Sequence, residues 1–392
     1  MRFGLLICLL VFLIARPSMA VSMSPEETFF SACRTGDLSA IQKMVQDNPV
    51  LLNAENRDSY GEGCLATAAR YEKTQLALWL VQHGANPTGS DRYDLFFVAS
   101  PIYFAIRQKN HDLFESLLKA GARMDVVIGY YQAGTTEVDG LGGLVVKFGD
   151  KRMFDFLRMK GWDVHDRDNY LQDAAAAQNY DSIRGLLALG CKREDSMIDP
   201  IYESLRLGDI QGLTLLTQAG FDLTATLEIG FPRNAWSYLE RGVYRDRTPM
   251  KIAVKFNQID MIRHLGKLGA PLIVPSEEQP LVTFAIINGT KPATIRALVD
   301  AGAPIVTFRS LYTQPEHFES YLVYPPVWLV VYAPGVSEQD KIELIQYFYD
   351  RGFSLEEKGG DERLGMRTPL EEATAHSQES VKKKLLELGA RP

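Results

Sequence analysis

The chain has 392 residues, of which 46% are hydrophobic and 23% are charged, and it contains four cysteines. This balance is typical of a globular chain with a sizeable core and no low-complexity tract, and the few cysteines exclude a disulfide scaffold. The formal net charge of −7 disfavours nucleic acid and anionic lipid as partners.

Residues 1–20 have the pattern of a secretory signal peptide. Arg2 precedes an apolar run from Gly4 to Ala15, and the small residues Ser18 and Ala20 follow. The run is shorter than the ~20 apolar residues that span a bilayer, so we expect cleavage after Ala20 and export. The leader contains two arginines and no acid, which makes the mature net charge −9. An uncleaved membrane anchor is the alternative.

A short helix-ending pattern, which we call a mark, recurs along the chain. Helix-like stretches end in Gly, once in Asn, followed by a small or apolar residue, at intervals of 29 to 50 residues. The marks are Asn48, Gly84, Gly121, Gly161, Gly190, Gly220, Gly269, Gly302, Gly352 and Gly389. A period in the thirties that lengthens only where insertions occur indicates a solenoid repeat.

The clearest repeat is Arg247–Ala270. Thr248 and Pro249 open a first helix, and Pro in the first turn costs no hydrogen bond. A second helix with amphipathic spacing follows, and Gly269 ends it in the left-handed conformation.

This unit resembles an ankyrin repeat, whose first helix opens with Thr-Pro-Leu-His and whose second helix ends before Gly-Ala. The resemblance recurs over nearly all of residues 21–392. It implies an all-α fold, an ankyrin-type solenoid of about ten stacked helix-turn-helix units with several long loop insertions. We expect residues 21–392 to form one elongated domain.

Three cysteines follow the leader: Cys33, Cys64 and Cys191. Aligning the first two units offsets Cys64 from Cys33 by five helical residues, which is ~7.5 Å along a helix axis. That offset exceeds the usual Cα reach of a disulfide. Export would permit one bridge, with Cys33 and Cys64 the pair nearest in sequence, but because of this offset we interpret all three cysteines as small packing residues.

Four insertions lengthen the repeat, at residues 125–140, 221–245, 305–324 and 354–367. Insertions in a solenoid lie on one side, often the binding side, and aromatic residues are enriched in binding hot spots. The candidate partner-binding residues are the insertion aromatics Tyr130, Tyr131, Phe231, Trp236, Tyr238, Tyr244, Tyr312, Phe318 and Tyr321. The alternative is that insertion aromatics, Phe308 and Tyr324 among them, pack on each other or back on the helices.

Residues that could carry chemistry are sparse. No two of the six histidines have metal-ligand spacing, and no nucleophile elbow, phosphate loop, dinucleotide fingerprint or Cys-x-x-Cys occurs. We expect no enzymatic activity, no cofactor and no metal. The competing hypothesis is an enzyme hidden in an insertion, with His317 beside Glu316 as its base.

The resemblance implies non-enzymatic protein–protein binding. We expect a periplasmic immunity protein of a Gram-negative bacterium that occludes a secreted antibacterial toxin of the lipase type. The alternatives are a periplasmic housekeeping or stress-protection protein that binds another enzyme, and a secreted effector that binds host proteins. The expected partner is a protein, without nucleic acid or membrane insertion after cleavage, and the free chain is expected to be a monomer.

Overall fold

The computed structural model describes residues 24–56, 62–89, 100–124, 127–132, 135–165, 169–192, 199–224, 227, 248–272, 279–313 and 319–392. For residues 127–132, 135–138, 312, 313 and 319 it describes the backbone alone. The chain divides into two compact units, residues 1–138 and residues 139–392. The predicted leader at residues 1–20 lies outside the described residues.

The described residues of unit 1 form three helix pairs. They are α1 (Pro25–Thr35) with α2 (Leu38–Asp47), α3 (Cys64–Arg70) with α4 (Thr74–Gln82), and α5 (Pro101–Arg107) with α6 (His111–Lys119). A 3₁₀ turn at Pro49–Asn53 follows α2.

The described residues of unit 2 form seven further pairs. They are α7 (Leu141–Phe148) with α8 (Lys151–Met159), α9 (Tyr170–Ala176) with α10 (Tyr180–Ala188), α11 (Pro200–Leu207) with α12 (Ile210–Gln218), α13 (Pro249–Lys255) with α14 (Ile259–Lys267), α15 (Leu281–Ile287) with α16 (Pro292–Asp300), α17 (Pro326–Tyr332) with α18 (Glu338–Tyr349), and α19 (Pro369–Ala375) with α20 (Glu379–Glu387).

Local sequence explains where the helices begin. Several first helices carry Pro in their first turn, where no N–H is needed; Pro249 of α13 is one. Several second helices begin after an Asp or Asn whose side chain accepts a backbone N–H, as Asp37 does from Ala40 and Asn179 does from Ser182.

The ends of the second helices follow the predicted marks. The nine marked glycines all have positive φ, between 76° and 108°. Asn48 differs, because its backbone is extended at φ −143° and its side chain caps the 3₁₀ turn by accepting the N–H of Val50. A turn of 3₁₀ helix therefore replaces the left-handed end in the first pair.

Within each unit, first helices pack on first helices and second helices on second helices. In unit 1, α1 packs on α3 and α3 on α5. In unit 2, each first helix packs on the next in the order α7, α9, α11, α13, α15, α17 and α19. Ala253 of α13 and Leu265 of α14 are fully buried. Each unit is a stack of helix pairs of the ankyrin type, which confirms the predicted fold class.

Polar side chains link successive pairs at the turns between first and second helices. Asn179 Nδ2 donates to the carbonyl oxygens of Val146 and Gly149, both at 2.9 Å. Gln258 Nε2 donates to Arg206 O at 3.2 Å in the same way. These bonds satisfy carbonyl groups that a helix end leaves without an intrahelical partner.

The insertions contain strands where the sequence predicted loops. Outside the four insertions, β1 (Glu55–Asn56) and β2 (Glu62–Gly63) also pair, in unit 1. The first insertion forms β3 (Val127–Gln132) and β4 (Thr135–Gly140), which make a two-stranded sheet. The third and fourth insertions contribute β5 (Phe308–Thr313), β6 (Glu319–Tyr324), β7 (Gly359–Asp361) and β8 (Gly365–Arg367).

The prediction that the cysteines form no disulfide was wrong. Cys33 and Cys64 are bonded, with their Cα atoms 5.4 Å apart, whereas Cys191 is free and buried. The sequence estimate assumed that equivalent residues of adjacent first helices lie side by side. Cys33 lies in the last turn of α1 and Cys64 is the first residue of α3, so the bond joins positions that are not equivalent in the repeat.

Candidate partner-binding surface

Two insertions, separated by the pair α17–α18, form a single four-stranded sheet in unit 2. The strand order is β5-β6-β7-β8, and all neighbours are antiparallel. The insertions join where Leu322 pairs with Asp361 and Val323 with Gly360. We call these four strands the hairpin sheet.

One face of the hairpin sheet presents apolar side chains to solvent. Leu311 of β5 lies opposite Tyr321 of β6, and the two are 52% and 45% exposed. Arg309 lies on the same face, with its guanidinium 5.2 Å from the centroid of the Tyr321 ring. Glu362 forms an ion pair with Arg309, which fixes the guanidinium beside the ring. We call Arg309, Leu311 and Tyr321 the outer face.

The turn between β7 and β8 adds a further exposed apolar residue. Leu364 at this turn is 78% exposed. Asp361 holds the turn by accepting the N–H groups of Arg363 at 2.8 Å and Leu364 at 3.1 Å. Ser320 donates to the same carboxylate at 2.6 Å, and this bond is the main reason that the pKa of Asp361 is lowered. Leu364 is therefore presented on an ordered turn.

The opposite face of the sheet packs on the helix stack through a row of aromatic rings. Phe308 pairs with Tyr324 across the strands, and their rings stack with centroids 6.1 Å apart. The ring centroids of Tyr324 and Trp328 of α17 are 6.2 Å apart. Trp328 in turn stacks on Tyr332, with their ring centroids 4.8 Å apart. Burial raises the pKa of Tyr324. The row anchors the hairpin sheet and leaves the outer face free to make contacts.

The structure separates the predicted binding residues into three groups. Tyr321 lies on the outer face. Tyr130 and Tyr131 lie in β3 and Tyr312 lies in β5, but their side chains are outside the described part of the structure. Phe231, Trp236, Tyr238, Tyr244 and Phe318 also lie outside the described residues, so their predicted role remains a prediction.

Sequence analysis missed Leu311, Leu364 and Arg309, because it searched the insertions for aromatic residues. The alternation in β5 and β6 was the available signal, since residues two apart share a face of a strand. It separates Phe308 and Tyr324, which pack inward, from Leu311 and Tyr321, which face outward. The alternative reading of the insertion aromatics thus holds for Phe308 and Tyr324.

Two of the described histidines have structural contacts within their own helix pair. The ring of His83 stacks on Trp79 at 4.0 Å, and His376 Nε2 lies 2.9 Å from Glu372 Oε1. Among the described residues, no group of three or more His, Cys, Asp or Glu side chains has the geometry to hold a metal ion. His317 lies outside the described residues.

Within the described ranges of the chain, no helix has the length and apolarity needed to cross a bilayer.

Comparison with known proteins gives similarity at the level of structure only. No protein-family model matches the chain, and no curated protein matches it in sequence. Among solved structures, the human ASB11 ankyrin repeat domain aligns with a TM-score of 0.41 and 18% sequence identity. The alignment covers 54% of this chain and 94% of that domain. The ankyrin-type fold is therefore assigned from the helix pairs, left-handed glycine ends and inter-pair packing of the chain itself.

Proposed function

We propose that this chain is an exported, non-enzymatic protein that binds a protein partner through the outer face of the hairpin sheet. The observation that carries this proposal is the exposed pair Leu311 and Tyr321, with Arg309 beside the Tyr321 ring. Leu364, at the turn between β7 and β8, is a further exposed apolar residue. Apolar and aromatic side chains beside Arg are the composition of interface hot spots. The aromatic row beneath the sheet holds them in place before binding, which lowers the entropy cost of association.

Export is supported by two features from different parts of the chain. Residues 1–20 have the sequence pattern of a signal peptide, and Cys33 and Cys64 form a disulfide. Disulfides persist in oxidising compartments such as the bacterial periplasm, and are rare in the cytosol. Both features support our proposal that the protein is exported to the periplasm.

Within that setting we propose an immunity role, in which the bound partner is a secreted antibacterial toxin and binding covers the mouth of its active site. The insertions support a dedicated target, because two of them combine to build one surface. The net charge of −9 after leader removal would favour encounter with a basic partner. Growth of a deletion strain beside its toxin-producing siblings would argue against this role while leaving protein binding intact.

Affinity capture with the tagged protein tests the binding surface. The double substitution Leu311→Ser with Tyr321→Ser should reduce recovery of a specific partner at least about tenfold, which corresponds to the loss of one hot spot. The matched control is Tyr349→Ser with Leu386→Ser, which removes an aromatic and a leucine of similar exposure, 41% and 43%, from second helices. Equal recovery with both double variants, at unchanged helical content, would reject the outer face as the binding site.

A further inference from the structure

The hairpin sheet has two edge strands, β5 and β8, and β5 is the long and regular one. β5 pairs with β6 at six consecutive positions without a bulge. It contains no proline and no lysine, and its one charged residue, Arg309, is paired with Glu362. Natural sheets protect an edge by shortness, proline, lysine or a bulge, because unpaired main-chain groups bind other strands. β5 has none of these four protections.

The opposite edge of the sheet is blunted. β8 has only three residues, Gly365–Arg367, and it begins at a glycine with a φ of +127°. Pro369 opens α19 two residues after the strand ends. A further strand would therefore find only a short run of main-chain groups along β8, so β5 is the edge that can accept one.

One hydrogen bond on the far side of β6 identifies the main-chain groups of β5 that face outward. Glu362 N donates to Tyr321 O at 3.1 Å, so the main-chain groups of Tyr321 point towards β7. These groups alternate in direction along an antiparallel strand, so those of Leu322 point towards β5. Leu322 pairs with Ser310, and the main-chain groups of Ser310 are therefore used in the bond to β6.

The main-chain groups on either side of Ser310 consequently face the open edge. The N–H and C=O groups of Arg309, Leu311 and Thr313 point away from β6. Within the part of the chain that the structure describes, no hydrogen bond reaches these groups of Arg309 or Leu311. The side chains of Arg309 and Leu311 lie on the outer face. A ligand along β5 can thus contact the main-chain edge and the outer face together.

The chemistry of this edge fits an extended polypeptide. Its outward groups recur at every second residue, about 6.8 Å apart, which is the repeat of another strand. A helix cannot supply matching groups, because its own main-chain bonds already use them. In recognition by strand addition, main-chain bonds provide affinity and alternate side chains provide specificity. A side chain opposite Leu311 would lie on the outer face, where an apolar residue fits.

We propose that the protein partner adds an extended segment to the open edge of β5, as a fifth strand of the hairpin sheet. The segment pairs with the main-chain groups of Arg309, Leu311 and Thr313, and one of its apolar side chains lies beside Leu311. This inference rests on the proposed binding through the outer face, and it names the conformation of the partner there. The segment belongs to a separate protein, because the edge is continuous with that face.

Peptide selection on the purified protein supplies the probe. A displayed random library of peptides of about twelve residues is long enough to span β5. Selected peptides are synthesised with a label, and their affinity is measured by fluorescence anisotropy. N-methylation of one alternate set of amides should weaken binding at least about tenfold, because those amides face β5. N-methylation of the other set should change affinity by less than about threefold, since those amides point away.

Two variants at residue 311 test the same bonds from the side of the protein. Leu311→Pro and Leu311→Ala both remove the leucine side chain, but proline also removes the outward N–H and places ring atoms on the edge. Leu311→Pro should bind the selected peptides at least about tenfold more weakly than Leu311→Ala. Proline is tolerated at an edge position of this kind, and circular dichroism checks that both variants fold. If Leu311→Pro does not fold, the two N-methylated peptide sets still decide the result.

Four results would overturn the inference. They are no selected peptide that binds, equal effects of the two N-methylated sets, equal affinity of the folded variants Leu311→Pro and Leu311→Ala, or a dimer of the free protein that Leu311→Pro dissociates. The last result, measured by sedimentation, would assign the edge to a second copy of the chain.

Tyr321→Ser separates this inference from the proposed function. Weaker peptide binding by Tyr321→Ser with equal effects of the two N-methylated sets would retain the outer face as a binding site and reject strand addition. Unchanged binding by Tyr321→Ser with unequal effects of the two sets would retain strand addition at β5 and reject the outer face.

Discussion

Gly359 of β7 lies directly against the indole of Trp328 in α17. A Cβ atom added at Gly359 would overlap Trp328 Cδ2, at a separation that real atoms do not show. Trp328 is itself only 3% exposed and stacks on Tyr332, so it has little room to move away. The close packing of β7 on α17 therefore requires glycine at position 359.

Replacing Gly359 with Ala should lower the free energy of unfolding of unit 2 by about 1–3 kcal/mol, the usual cost of overpacking a filled site. Gly335→Ala is the control, because a Cβ there would meet Gly289 Cα at an ordinary 3.6 Å. Its effect should stay within about 0.5 kcal/mol. Urea denaturation followed by circular dichroism measures both, and equal effects would show that the sheet does not depend on this contact.

The disulfide should stabilise the amino-terminal helix pair. Cys33 and Cys64 are 31 residues apart, and a loop of that size corresponds to about 3–4 kcal/mol in the chain-entropy account. The variant Cys33→Ser with Cys64→Ser should lose stability of that order, whereas Cys191→Ala should have a much smaller effect. Thiol titration of the denatured protein provides the second measurement: reductant should release two additional thiols, and no release would contradict the bond.

The amide of Asn179 should contribute through two separate roles. Its Oδ1 accepts the N–H of Ser182 at 3.3 Å as a helix cap, and its Nδ2 donates to Val146 and Gly149 in the preceding pair. Asn179→Ser retains a capping oxygen but loses the donor, so we expect a loss of about 1–2 kcal/mol. Asn179→Ala should lose about 1 kcal/mol more, because the cap also disappears. Equal losses for the two variants in urea denaturation would show that the helix cap contributes nothing to stability.

The buried carboxyl of Glu62 should make stability depend on pH. Burial raises the pKa of Glu62 above its ordinary value of 4.5, against the opposing effects of Arg70, a hydrogen bond with Thr67, and Arg34. The folded state therefore holds the proton more tightly than the unfolded state. This contribution to stability is fully present below pH 4.5 and is lost as the pH rises towards the raised pKa.

Glu62→Gln removes that titration. The free energy of unfolding of the native protein should fall relative to the variant above pH 4.5, with a slope of at most about 1.4 kcal/mol per pH unit. Urea denaturation of both proteins across pH 4.5 to neutral measures the difference. Parallel profiles would mean that Glu62 ionises in the folded state as readily as in the unfolded chain.

The helix pairs could be predicted from the chain because their signals are local. Pro249 at a helix start and Gly269 at a helix end act through their own backbone angles, and the structure places both as expected. Asn48 is the exception among the marks, since Pro49 directly after it disfavours a helical or turn-like backbone at residue 48.

The candidate site was predictable only in part. The aromatic-rich insertion predicted a binding role for Tyr321, which is exposed on the outer face, but composition alone could not separate it from Tyr324, which packs inward on Trp328. Alternation divides the residues of β5 and β6 into two faces, yet it does not say which face meets α17.

By itself, the sequence determined the repeat, the helix boundaries and the position of the insertions, because these depend on backbone preferences over a few residues. Only the tertiary structure decided that β6 pairs with β7, that Cys33 meets Cys64 and that Leu311 and Tyr321 share an exposed face. Each of these joins residues distant in the sequence or chooses between two faces of a sheet. Such outcomes depend on how neighbouring helices are placed, and no local pattern encodes that placement.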